Sequence, residues 1–158
     1  MAQITVEQIE KAVEKVNHLD DASLDRLSET YTLAQTELLA YIMQASEEYE
    51  NEELADYLIY YFCLIAEMFT QAKLNTTRVT DDMIDEFHET YLDLLEEYSE
   101  TEDPSVLDTV VNQPNITAFI AEDLSGVDED GEELDAETAS QLFIVLVALV
   151  GLLNKSIA

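Results

Sequence analysis

Three glycines and two prolines in 158 residues leave this chain little with which to build tight turns. A fold of many short strands needs such residues at every reversal, so their shortage favours a few long helices. The apolar residues agree, recurring at three- and four-residue steps along most of the chain, the helical period. The expected fold is all-α: one compact bundle of about six or seven helices over residues 1–158, with two nearly all-apolar helices at its centre. A chain of this size buries roughly 70% of its unfolded surface as one domain, and 47% hydrophobic residues suit a folded protein.

Thr5-x-x-Gln8 has the form of a capping box, with Ile4 and Ile9 placed as a hydrophobic staple across it. Val6, Ile9, Val13 and Val16 then share one face of a first helix. A second, continuous helix is expected from about Ser23 to Glu48, through Leu24, Leu27, Tyr31, Ala34, Leu38, Tyr41, Ile42 and Ala45. In the third, about Glu52 to Ala72, the core face of Leu54, Leu58, Phe62, Ile65 and Phe69 is widened by Ile59, Leu64 and Ala66. Only Asp56, Tyr60, Cys63, Glu67 and Gln71 form a more polar strip. Such a helix belongs at the centre of a domain.

Thr80 is placed to cap a fourth helix running to about Tyr98. Ser99–Asp103 reads as an acidic linker, followed by short helices through Val106–Val111 and Ile116–Ile120 that flank Pro114. An acidic loop spans 125–135, and Asp135 is expected to cap the last helix, about Ala136 to Asn154. Its apolar run, Leu142–Leu153, is roughly 18 Å long against the ~30 Å of a hydrocarbon core, so it reads as a buried helix rather than a membrane span. A homodimer through this helix is the alternative way to cover it.

The 36 Asp and Glu against 6 Lys and Arg give a formal charge of -30, unevenly spread. From Val79 to Asn154 there are 21 carboxylates and no Lys or Arg; the first 78 residues hold 15 acids and 5 bases. Such a surface repels nucleic acid and anionic membrane and attracts cations or basic proteins. The single cysteine, Cys63, excludes an internal disulfide and fits a reducing compartment. The first fifteen residues contain no apolar signal region, and the chain is read as cytoplasmic.

The acids concentrate most clearly on the fourth helix. Met83, Ile84, Phe87, Tyr91, Leu94, Leu95 and Tyr98 fill an apolar stripe about 120° wide. Asp81, Asp82, Asp85, Glu86, Glu89, Asp93, Glu96 and Glu97 fill most of the remaining circle, roughly one charge per 3.4 Å, near the axial spacing of one DNA strand. Any acid-rich helix gives a similar spacing, and a charge run is usually a solvated face. Here, however, no base at i+4 relieves the repulsion. This face is the candidate surface for a basic partner.

Other motifs carry less. Asp128, Asp130, Gly131 and Glu137 match positions 3, 5, 6 and 12 of a calcium loop, but Gly126 and Glu133 depart from it at positions 1 and 8. Asp85-x-x-His88 resembles half of a di-metal site in a helical bundle; such a site needs a second pair, and the one other histidine, His18, lies in a turn. Cys63 has no His, Lys or Arg near it in sequence and reads as packing. The eight tyrosines suit an interface and a core rim equally. No phosphate loop, nucleophile elbow or Cys/His cluster is present. The chain is therefore read as a non-enzyme without cofactor or metal that binds a basic protein through its acidic helix, as an inhibitor, immunity protein, chaperone or DNA mimic would. The alternatives are a structural domain whose acidity is salt adaptation and a carboxylate-based divalent-metal binder.

Overall fold

The computed structural model describes residues 3–107, 111–125 and 135–157. Among these, seven α-helices of eight residues or more and one short helical turn form a bundle: α1 Val6–Asn17, α2 Asp21–Ala34, α3 Thr36–Met43, α4 Ala45–Glu48, α5 Glu53–Gln71, α6 Asp81–Thr101, α7 Pro114–Ser125 and α8 Ala136–Lys155. A 3-10 turn, Pro104–Leu107, follows α6.

The centre is α5 and α8, which pack on each other. Helices α1, α2, α3 and α4 also rest on α5, while α3, α6 and α7 rest on α8. From Leu142 to Asn154 all positions of α8 are buried except the half-buried Phe143 and Ile144. Its apolar surface is thus covered within one chain. By length and composition α8 could cross a membrane, but two thirds of its apolar window (67%) is buried inside the bundle, as in a core helix. Gly151 lets α6 come close: a Cβ there would stand 2.9 Å from Cε2 and Cζ of the buried Phe87.

Helix starts follow local chemistry. The Thr5 hydroxyl accepts from the Gln8 amide while the Gln8 side chain accepts from the Thr5 amide, a complete capping box. Asp20 caps α2 through Ser23, and Thr80 caps α6 through Met83. Asp135 precedes α8 but makes no side-chain cap bond, contrary to expectation. Helix ends show what few glycines entail. Glu50, Lys73, Glu102 and Asn112 take left-handed φ values between 52° and 58°, a conformation that costs a non-glycine roughly 1 kcal/mol.

The continuous second helix is the main correction. The chain leaves the helical conformation at Gln35 (φ -135°, ψ 55°), and the regular helix is interrupted again at Gln44, whose backbone stays near helical (φ -62°, ψ -22°), giving α2, α3 and α4. The buried Gln35 side chain donates to the Thr77 carbonyl and accepts from the Val79 amide, both at 2.8 Å, which fixes the bend to the segment entering α6. Gln113 works in the same way, accepting from the Ile4 amide and donating to Asn154 Oδ1, both at 2.9 Å. Helix α6 also runs on to Thr101, through part of the expected linker.

Candidate partner-binding surface

Helix α6 is held by its inner face. Ile84, Phe87 and Tyr91 are buried; Phe87 and Tyr91 stack at 5.2 Å, and the Tyr91 hydroxyl donates to the Ile144 carbonyl at 2.5 Å. The ammonium of Lys155, at the end of α8, lies 5.4 Å from the Phe87 ring centroid. With that face fixed, Asp81, Asp82, Asp85, Glu86, Glu89, Asp93, Glu96 and Glu97 are all exposed. Among the described residues the ion pairs are Lys11–Glu7, Lys15–Glu67 and Arg78–Glu37, so none reaches these acids. The last turn of α6 carries no base either, although the negative end of the helix dipole favours one there.

Beside the acids lies a recess of about 120 Å³ between α3, α4, α6 and α8. Tyr41, Ile42, His88, Tyr91, Leu92 and Leu95 contribute to its walls, with Glu48 and Tyr49. Tyr41 and His88 meet edge to face, with 5.8 Å between centroids, and the Tyr41 hydroxyl shares a 3.0 Å hydrogen bond with His88 Nδ1. Burial pushes the Tyr41 hydroxyl up to about 12, helped by the nearby Glu48 charge. The same two causes raise Tyr49. Leu92 is 50% exposed and Tyr49 39%, both unusually open for large apolar groups in this chain.

The other motifs separate in space. His88 is occupied by Tyr41, whereas exposed His18 bonds the Glu14 carbonyl at 2.7 Å. No group of three or more His, Cys, Asp or Glu among the described residues could hold a metal ion. The calcium-loop pattern at 126–137 lies mostly outside the described residues. Cys63 is buried, and burial pushes its thiol up. That opposes thiolate formation and nucleophilic use.

Glu67 is the group that the sequence pattern concealed. Expected on a polar strip, it is fully buried. Tyr31 donates to Oε2 at 2.5 Å; Lys15 Nζ at 2.9 Å and Gln71 Nε2 at 2.9 Å both meet Oε1. Burial alone would raise its pKa, but hydrogen bonds from Tyr31, Lys15 and Gln71 prevail and hold it below the usual value. Tyr31 is pushed well up by burial and by its bond to Glu67. The buried carboxylate is fully partnered from three sides, so the cluster reads as a fastening between α1, α2 and α5. Ile59, assigned to the core by its spacing, is instead 41% exposed, on a side of α5 that the described helices leave open. No family model, curated protein or solved structure matches this chain.

Proposed function

We propose that this protein is a non-catalytic interaction protein that binds a basic protein partner through the outer face of α6. The observation supporting this reading is that eight carboxylates share one exposed helix face and no ion pair among the described residues reaches any of them. Like charges at helical spacing repel, and a bound cationic surface turns that cost into attraction. Inhibition, chaperoning and DNA mimicry all use such a face, and each would show fast association that weakens steeply with salt.

The test compares the intact chain with a variant carrying Asp85→Asn, Glu89→Gln, Asp93→Asn and Glu96→Gln. At low ionic strength the intact chain is expected to capture a basic protein from host lysate, release it as salt rises, and lose it in the variant. Equal capture by both chains, or by neither, defeats the proposal. Unfolding followed by circular dichroism across a KCl series tests the salt-adaptation reading. A cooperative transition in dilute buffer is expected; folding only near molar KCl would make the acidity environmental.

A further inference from the structure

The acids of α6 account for charge attraction but not for selection, since any polycation satisfies them. The recess beside them supplies what a charged face lacks. Its measure, about 120 Å³, falls below the roughly 300–1,000 Å³ of small-molecule sites. It approaches the ~150 Å³ of an apolar cavity that admits a benzene ring. That is room for about one side chain. Its lining is apolar and aromatic apart from Glu48 and the Tyr41–His88 pair, which already satisfy one another.

Leu92, half exposed at its mouth, marks how the two features meet. On a helix the surface neighbours of position 92 lie three, four and seven residues away. Toward the recess these are His88 and Leu95; away from it they are Asp85, Glu89 and Glu96. An apolar hollow thus borders a row of carboxylates, with Glu48 on its own wall. A second copy of this chain, also at -30, would be repelled.

We propose that this recess seats one apolar or aromatic side chain of a basic amphipathic segment in the partner, whose Lys or Arg residues lie over Asp85, Glu89 and Glu96. This rests on the reading of α6 as a basic-protein surface and adds a specificity pocket to it. Central, desolvated aromatic anchors of this kind dominate many interfaces.

The chain contains no tryptophan, so a single indole in a peptide can be followed alone. The probes are two amidated, helix-forming peptides of Ala and Lys, one with Trp at the centre of its apolar face and one with Ala there. Calorimetry of the full chain at low salt gives both affinities, and fluorescence reports burial of the indole. The Trp peptide is expected to bind about tenfold tighter, with blue-shifted emission. Leu92→Gln, at an exposed position, should abolish that advantage without weakening the Ala peptide. Val6→Gln, at an exposed apolar position on α1, should leave both unchanged. Equal affinity of the two peptides, or an advantage that survives Leu92→Gln or disappears in Val6→Gln, overturns the pocket but leaves the acidic surface standing. Failure of both peptides to bind removes the acidic-surface reading and the pocket with it.

Discussion

Glu67 on α5 and the eight carboxylates on the outside of α6 carry the same chemical group into opposite surroundings. Glu67 has no exposed surface and holds three donors, one of them a lysine. The α6 acids face water, and no ion pair among the described residues reaches them. A buried carboxylate stripped of its partner costs several kcal/mol. An exposed one beside like charges costs a few tenths. With 36 acids and 6 bases most carboxylates must go without a counter-ion, and here a lysine stands where its absence would cost most. What is left over is a surface whose repulsion stays small enough to bear and is available to a partner.

Removing Glu67 is the strongest way to break the comparison. Glu67→Ala should destabilise the chain by about 3 kcal/mol in urea denaturation, because Tyr31, Gln71 and Lys15 all lose their acceptor. A loss below about 1 kcal/mol would return Glu67 to the class of the α6 acids. The sign with pH is fixed by its lowered folded-state pKa. Its stabilisation is complete above its ordinary value of 4.5 and fades as pH falls through the lower folded value. Glu67→Gln should flatten that acid-side slope; an unchanged slope would assign it to other carboxylates.

Glu102→Gly comes next. Glu102 closes α6 at φ 56°, and glycine relieves the left-handed strain while removing an acid from the negative end of the helix. A gain of about 1 kcal/mol is expected in thermal unfolding, and a loss would show that the Glu102 side chain matters to the fold. The smallest effects belong to the α6 face itself. Single substitutions such as Asp93→Asn should change stability by no more than about 0.5 kcal/mol, stabilising at low salt and neutral at high salt. A large loss from any one of them would mean that the face has an internal structural role.

These contrasts also show which parts of the molecule could be read in its residues. Thr5 with Gln8, and Thr80 ahead of Asp81, announce helix starts because the bonds involved are local. The acidic face of α6 was legible for a similar reason, since helical spacing alone assigns positions to faces. Gln35 gave no sign of a bend, because its partners Thr77 and Val79 lie more than forty positions away. Glu67 looked like a surface acid because Lys15 and Tyr31 arrive from two other helices. Ile59 looked like core because its spacing cannot tell which side of α5 stays uncovered. The recess escaped notice altogether, as its walls come from four helices and most of its apolar residues fit the core stripe of their own helix, Leu92 being the exception.

The clasp on the start of the chain bears on the order in which the molecule assembles. The Ile4 amide donates to Gln113, the Ile4 carbonyl accepts from Asn115, and Gln3 donates to the Asn112 carbonyl, across 109 to 111 positions. On a ribosome adding about 5–20 residues per second, Gln3 and Ile4 would wait roughly 5–20 s for those partners to be made. The segment leading into α1 is thereby secured late, although α1 itself can already dock on α5, and a nascent chain must shield Ile4 until residues 112–115 are made.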